Sequence, residues 1–271
     1  MPELPEVETT RLGIEPHVLN RTVTAVRVRQ PALRWPVSDT LSQSLTGQKI
    51  VAVRRRAKYL FLVTGRGRVM VHLGMSGSLR IVTDASVSPQ KHDHVDILFD
   101  NHVLLRYRDP RRFGSIFWID EGGGHPLIEG LGPEPLGEEF SGNYLYDVSR
   151  HRRVPVKSLL MNSRIVSGVG NIYANEALFR AGIRPDRAAG RISRQRYERL
   201  VADLKDVLQD AIAAGGTTLR DFLHEDGAPG YFRQTLGVYG RGGKPCPGCH
   251  RPLREVRISQ RTTVFCPHCQ R

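Results

Sequence analysis

The chain has 271 residues, with 40 Lys and Arg against 27 Asp and Glu, a formal charge of +13 and a pI near 10.1. That length supports one large domain or two ordinary ones with a sizeable core, and the charge points to an anionic partner, nucleic acid before an anionic membrane surface. No apolar run reaches the roughly 20 residues of a spanning helix, and Glu3, Glu6 and Glu8 do not suit a basic signal peptide, so a soluble, intracellular protein is expected.

Residues 3–19 read as a helix, because Pro5 suits a first turn and Glu6 and Glu8 complement the positive end of the helix dipole. Short apolar or alternating runs follow: Thr22–Val28, Lys49–Arg55, Tyr59–Val63, Arg68–Leu73, Ser78–Val82, His94–Phe99, Val103–Tyr107 and Ser115–Ile119. Gly, Asp, Asn and Pro turns separate them, a spacing that predicts a β-sandwich or barrel. The segment 121–142, rich in Gly, Pro and Glu, reads as a linker. Helices are predicted over 155–163 and 171–181, joined by the Gly-rich turn Val166-Ser167-Gly168-Val169-Gly170. Residues 193–213 give the cleanest helical period, with Tyr197, Leu200, Leu204, Val207, Leu208, Ala211 and Ile212 behind a Ser193 cap. A Gly-containing loop is expected over 214–243, and 244–271 forms a cysteine module.

All four cysteines lie in that module. Cys246-Pro247-Gly248-Cys249 and Cys266-Pro267-His268-Cys269 are two Cys-x-x-Cys knuckles sixteen residues apart. Disulfide staples would spread along a secreted chain, whereas this spacing matches a zinc ribbon. Four thiolates close a tetrahedral shell and leave no open position, so one Zn2+ with a structural role is expected. His250 and His268 are the other candidate ligands. From 241 to 271 there are seven Lys and Arg against the single acid Glu255, which suits contact with phosphates.

Further basic clusters occur at Arg54-Arg55-Arg56 with Lys58, at Arg106, Arg108, Arg111 and Arg112, and at Arg150, Arg152 and Arg153 with Lys157. One such run is usually a solvated face; several in a basic chain favour a nucleic-acid surface. Phe113 beside two arginines, and Met75 in a Gly-rich turn, have the chemistry of side chains that wedge into a base stack, although each also reads as an ordinary core or turn residue. Gly168 and Gly170 before a helix could present N–H groups to a phosphate. The start of the chain has two readings. Pro2 and Pro5 simply open a helix, or, with Met1 removed, Pro2 offers a free secondary amine with a pKa of roughly 7.7–8.0. Such an amine attacks an electrophilic sugar carbon and forms an iminium ion.

Taken in order, the motifs resemble the bacterial formamidopyrimidine-DNA glycosylases over essentially the whole chain. The resemblance is carried by Pro2-Glu3-Leu4-Pro5-Glu6-Val7-Glu8-Thr9, Arg55-Arg56-Ala57-Lys58, His72-Leu73-Gly74-Met75-Ser76-Gly77 and Lys91-His92-Asp93-His94. It continues through Asp109-Pro110-Arg111-Arg112-Phe113-Gly114, Leu131-Gly132-Pro133-Glu134-Pro135-Leu136, Gly168-Val169-Gly170-Asn171-Ile172-Tyr173-Ala174, Gly215-Gly216-Thr217-Thr218-Leu219 and Val238-Tyr239-Gly240-Arg241. It ends with the zinc ribbon around Arg261-Thr262-Thr263-Val264-Phe265-Cys266.

The resemblance implies an α+β multidomain fold. It would have an N-terminal helix and β-sandwich over 1–130, a helical domain with a helix-two-turn-helix over 131–236, and a zinc-ribbon β-hairpin over 237–271. It implies excision of oxidised purines from damaged double-stranded DNA, followed by strand cleavage at the abasic site. Pro2 would be the nucleophile, Glu3 the proton shuttle, Lys58 the β-elimination and phosphate lysine, and Arg261 the δ-elimination and phosphate arginine. His92, Arg111, Arg152, Arg153, Lys157 and Asn171 fall at DNA-contact positions. Met75, Arg111 and Phe113 match the trio that fills the gap left by the extruded base. Where that family often carries lysine after Gly-Gly-Thr-Thr-Leu, this chain has Arg220, and Lys and Arg are not equivalent donors. The rival readings are the related endonuclease VIII, acting on oxidised pyrimidines, and a zinc-ribbon regulator or damage sensor without activity. No protein partner is implied, a single chain is the default, and the expected compartment is the bacterial cytoplasm, at the nucleoid.

Overall fold

The computed structural model describes residues 2–84, 87–215 and 236–271, which fall into two compact units. Arg220 and most of the expected loop over 214–243 lie outside the described residues.

The first unit, which contains the residues up to Glu129, begins with helix α1 (Leu4–Val18). Glu3 is its extended N-cap, and the Glu3 N–H donates to Glu6 Oε2 at 2.7 Å, one half of a capping box. Pro5 sits in the first turn, where its missing N–H leaves no bond unmade. Leu4, Val7, Ile14 and Val18 are buried.

Eight antiparallel strands follow, one in each predicted run: β1 (Val23–Val28), β2 (Ala52–Arg56), β3 (Tyr59–Val63), β4 (Gly67–His72), β5 (Ser78–Val82), β6 (Asp93–Phe99), β7 (Leu104–Arg108) and β8 (Ser115–Asp120). They form two four-stranded sheets, ordered β1-β6-β7-β5 and β2-β3-β4-β8. Val26 pairs Ile97, Ile97 pairs Leu105, and Ile81 pairs Leu105; in the second sheet Leu60 pairs Val71 and Val71 pairs Ile116. The apolar side chains between the sheets merge with the buried face of α1 into one core containing Ile14, Leu60, Val71, Leu79, Val95 and Tyr107. A short helix absent from the sequence reading, α2 (Leu41–Leu45), adds Leu41 and Leu45 to it.

The stretch read as a linker is docked in part. Helix α3 (Pro126–Glu129) lays Ile128 over a second apolar cluster of Phe61, Met70 and Ile119. The Gly and Pro composition that suggests a linker here makes a tight return to the sheet.

Buried charge on the β1-β6-β7-β5 sheet is held in ion pairs. Arg106 on β7 meets Asp96 on β6 through two 3.0 Å bonds, in register with it, and Arg29 reaches the same carboxylate at 2.6 Å. Arg106 and Asp96 are both almost fully buried.

The second unit comprises Gly130–Ala211 and the C-terminal residues. Helix α4 (Gly142–Ser149), unpredicted, is capped by Ser141, whose hydroxyl accepts from the Tyr144 N–H. Helices α5 (Val156–Leu160) and α6 (Asn171–Arg180) match the two predicted short helices and flank the Gly-rich turn. Helix α7 (Arg194–Gly215) is the predicted long one. Val156, Leu160, Tyr173, Leu178, Tyr197, Leu204 and Leu208 share one core. Strands β9 (Arg254–Ile258) and β10 (Arg261–Phe265) form the terminal hairpin, with Ile258 paired to Arg261 across the two-residue turn Ser259-Gln260. Among the described residues no helix is long and apolar enough to cross a membrane.

Replacing Arg106 by Met takes both in-register bonds from Asp96, leaving it Arg29 alone, and leaves Asp93 with Arg108 at 3.5 Å. Removing one partner from a buried pair costs about 3–5 kcal/mol. A denaturant titration of Arg106→Met followed by tryptophan fluorescence is expected to show that loss, and a surface control, Arg180→Met, only a few tenths of it.

Candidate functional site

Pro2 precedes α1 and lies outside it, half-buried, while Glu3 is 2% exposed. The capping bond from the Glu3 N–H fixes where the helix begins, so the Pro2 nitrogen takes no part in the helical ladder. On the same helix Glu8 receives Arg55 Nε at 2.8 Å and Arg11 Nε at 2.8 Å. Arg55 also donates to the Ala57 carbonyl at 2.9 Å. That carbonyl belongs to the two-residue turn Ala57-Lys58 between β2 and β3, in which Ala57 takes a φ of 54°. Helix α1 thus grips the turn that carries Lys58.

Lys58 acts electrically on His72, at the end of β4. Burial, then the charges of Lys58 and Arg34, pull the His72 pKa down to about 4, against the opposing pull of Asp109. The ring is therefore neutral at physiological pH, and its Nδ1 accepts the Gly74 N–H at 3.2 Å.

Beyond His72 two turns lie against each other. One is 73–77, with Met75 at its tip; the other is 109–114, with Arg111 and Phe113. Among the described residues, Met75 and Phe113 are two of the few exposed large apolar ones, at 39% and 40%. The Arg111 guanidinium stacks 4.7 Å from the centre of the Phe113 ring. The backbones touch so closely that a Cβ on Gly74 would come within 2.4 Å of the Phe113 carbonyl carbon, and Gly74 also needs a φ of 61°. A Cβ on Gly114 would strike the Tyr107 hydroxyl. The structure therefore brings Met75, Arg111 and Phe113 together.

Asp109 is the centre of this arrangement and was missed in the sequence. Its side chain is fully buried. Oδ1 accepts from the Ser76 hydroxyl at 2.6 Å and the Arg111 N–H at 3.3 Å. Oδ2 accepts from the Tyr107 hydroxyl at 3.1 Å and the Gly114 N–H at 2.8 Å. Its main chain donates to the His92 carbonyl at 3.0 Å and accepts from His94 Nε2 at 2.8 Å. Burial, reinforced by Asp109, holds the Tyr107 phenol well above its usual range, so it remains a donor. The one available signal was an acid inside an arginine-rich run, which reads equally well as a salt bridge. His92 itself is half-buried beside this group.

In the second unit the four cysteine sulfurs lie within 4.8 Å of one another. Cys246 and Cys269 are 3.9 Å apart and Cys249 and Cys266 3.5 Å, close to the ~3.8 Å edge of a tetrahedron with Zn–S bonds of about 2.3 Å. The Gly248 and Cys269 N–H groups point at the sulfurs of Cys246 and Cys266, each at 3.4 Å. His268 Nδ1 is engaged by Arg251 at 3.1 Å instead. The donor set fits one Zn2+ held by Cys246, Cys249, Cys266 and Cys269, with no place for a substrate.

The hairpin is fastened to the helices mainly through its main chain, with Thr263 and Gln270 adding side-chain bonds. Lys157 Nζ and Asn171 Nδ2 both donate to the Thr262 carbonyl at 3.0 Å, and Lys157 Nζ also donates to Thr263 Oγ1 at 2.6 Å. Asn175 Oδ1 accepts the Val264 N–H at 2.9 Å, and Gln270 Nε2 donates to the Ile183 carbonyl at 2.8 Å. Lys157 is only 1% exposed, so it lies deeper than a surface phosphate contact would. Arg261 is exposed at the head of β10, beyond a turn whose residues Ser259 and Gln260 both have positive φ. Arg152 and Arg153 are exposed after α4, and Arg152 Nε donates to the Val148 carbonyl at 2.6 Å. Arg150 differs from them, bonding the carbonyls of Gly190 and Ile192.

Comparison with known proteins decides what this combination belongs to. Residues 1–116 match the formamidopyrimidine-DNA glycosylase N-terminal domain, 131–223 its H2TH domain, and 243–271 the zinc finger found in FPG and IleRS. A formamidopyrimidine-DNA glycosylase of Marinobacter nauticus is 57% identical over 271 residues, covering all of both chains. The chain belongs to the formamidopyrimidine-DNA glycosylase family. Among solved structures, the MutM (Fpg) protein of Thermus thermophilus superposes with a TM-score of 0.85 at 39% identity, over 99% of this chain and 98% of the other. Lactococcus lactis Fpg (MutM), solved with DNA containing N7-benzyl-Fapy-dG, gives 0.89 at 32% identity over 99% of each. The chain thus has the expected fold, a β-sandwich with its N-terminal helix, a helix-two-turn-helix and a zinc-finger hairpin.

Two outcomes are expected. Chelating the zinc, or replacing Cys266 by Ser, should abolish duplex binding in a gel-shift assay while the thermal transition of the first unit persists. For His72, the unfolded ring binds a proton near pH 6.5 and the folded ring only near pH 4. Stability therefore falls as pH drops through that window, by on the order of 2 kcal/mol after discounting for the partly exposed ring. Melting curves of His72→Gln should show a shallower decline between pH 7 and pH 4.5 than the parent.

Proposed function

We propose that the chain excises oxidised purines, 8-oxoguanine and formamidopyrimidines, from double-stranded DNA and then cuts the strand, with Pro2 as nucleophile. The observation that carries this reading is a Pro2 nitrogen left outside α1, next to a buried Glu3, at the head of a chain belonging to this family.

In this mechanism the Pro2 amine attacks C1′ of the damaged nucleotide. The bond from C1′ to the base breaks and the base leaves with that electron pair and a proton. The nitrogen lone pair then forms C1′=N+ as the C1′–O4′ bond opens, and Glu3 delivers the proton that O4′ takes up. The iminium acidifies C2′–H; its loss expels the 3′ phosphate, and loss of the C4′ proton then expels the 5′ phosphate. Water releases Pro2. Lys58 assists β-elimination and holds phosphate, and Arg261 assists δ-elimination and holds phosphate. The zinc supplies structural closure of the hairpin.

Extruding a base costs a few kcal/mol, least for a damaged one. Met75, Arg111 and Phe113 offset that cost by filling the vacated stack. His92, Arg152 and Arg153 contact the backbone, and Lys157 and Asn171 serve it through the hairpin they hold. The working division is 1–130 for chemistry, 131–236 for duplex binding and 237–271 for the zinc hairpin. The enzyme acts as a single chain, in the cytoplasm and at the nucleoid.

Borohydride is expected to trap a covalent adduct between the processed chain and a duplex holding one 8-oxoguanine opposite cytosine. Pro2→Gly should trap far less, and a chain extended ahead of Pro2 not at all; equal trapping by the extended chain rules Pro2 out as nucleophile. Glu3→Gln should slow ring opening, and with it the build-up of the trapped adduct, by about 10²–10⁴-fold, the usual worth of a positioned acid or base. Brisk excision of an oxidised pyrimidine without excision of 8-oxoguanine would assign the chain to the pyrimidine enzymes instead.

A further inference from the structure

Asp109 joins two turns that meet nowhere in the sequence. Ser76 and Asp109 are 33 positions apart, yet their side chains share a 2.6 Å bond. The Ser76 hydroxyl also accepts the Arg111 N–H at 3.1 Å. Each carboxylate oxygen thus reaches one donor on a supporting element and one on the tip of 109–114: Ser76 with Arg111 on Oδ1, Tyr107 with Gly114 on Oδ2. A buried carboxylate without a cation against it is tolerated only while such donors are in place. Each of these bonds ties its donor to the same buried carboxylate, so the two turns are held through one group.

We infer that Asp109 is a positioning residue for base extrusion, clamping the Met75 turn to the Arg111–Phe113 turn so that the three side chains enter the duplex as one rigid body. The inference rests on the proposed role of Met75, Arg111 and Phe113 as inserting side chains. What it adds is that their mutual placement is set by a group that touches no DNA. Rigidity matters because the trio must displace stacked bases. A flexible tip would recoil under that load, whereas the close backbone approach at Gly74 and the Asp109 bonds brace it against the neighbouring turn. The stack of Arg111 on Phe113 depends on the same turn, in which Arg112 is held at a φ of 55°.

The test compares the parent with Asp109→Asn, Ser76→Ala, Met75→Ala and Phe113→Ala on two substrates. One is a duplex with 8-oxoguanine opposite cytosine and a neighbouring 2-aminopurine, whose fluorescence reports unstacking. The other is a single-stranded oligonucleotide with a preformed abasic site, which needs chemistry but no insertion. Asp109→Asn puts an N–H2 against donors that already point inward, and is expected to lower duplex excision by about 10²-fold, the scale of an ångström misplacement. Its 2-aminopurine rise should be lost while single-strand cleavage is unchanged. Ser76→Ala removes one link without burying a new donor, and should show a smaller loss of the same kind, with a melting temperature lowered by a few degrees and the protein still fully folded at the assay temperature. Equal losses on both substrates would make Asp109 a plain stability residue and overturn the inference. So would parent-like fluorescence in both Asp109→Asn and Ser76→Ala while Met75→Ala and Phe113→Ala lower it. If Met75→Ala and Phe113→Ala themselves leave the signal at the parent level, the inserting role falls, and the positioning role with it.

Discussion

An ionised carboxylate taken out of water must be met by donors or by a cation. Much of this molecule follows from how that demand is met. Asp96 is met by Arg106 and Arg29, which locks neighbouring strands of a sheet. Asp109 is met by hydroxyls and backbone N–H groups, which locks two turns. Glu176, on α6, accepts the N–H groups of Gly237, Val238 and Tyr239 at 2.8–3.0 Å and so fixes the chain that leads into the zinc module. In a chain of charge +13 the acids shape the interior, and the arginines left on the surface choose the partner.

The zinc hairpin answers the same demand with different chemistry. A small hairpin has little core of its own: Val238, Leu253 and Val264 with Cys246 and Cys266. The four sulfurs close one end of it. Lys157, Asn171 and Asn175 bond the β10 main chain along its length. Arg261 is thereby presented from a strand held on its partner strand and on the helices behind it, rather than from a loose tip.

The eight sandwich strands were legible because nearly every apolar run ends at a Gly, Asp, Asn or Pro turn, the Ala57-Lys58 turn excepted, and the zinc site because Cys-x-x-Cys spacing has few other uses. Helices α2 and α4 were not. Leu41–Leu45 is too short to show a period, and the signal for α4 rests mainly on the Ser141 cap. The docking of Ile128 was hidden in a composition typical of linkers. Candidate side chains such as Met75 and Phe113 could be named from their motifs, but not the group that sets them. Asp109 draws its partners from Ser76, Tyr107, Arg111 and Gly114, and a pairing across 33 positions leaves no local pattern. Nor could sequence separate Arg150, which braces the carbonyls of Gly190 and Ile192, from its exposed neighbours Arg152 and Arg153.

The grip on β10 has a consequence for how this enzyme can change over generations. Lys157 and Asn171 read a carbonyl at Thr262, and Asn175 reads an amide at Val264. Main-chain groups are the same whatever residue carries them. The outward side chains of the hairpin that the proposed chemistry does not use, Arg254 and Arg257 among them, are thus free to drift in identity while the strand keeps its seat. Selection can retune how the hairpin greets its polyanion by single substitutions there, without renegotiating the attachment that makes the hairpin useful.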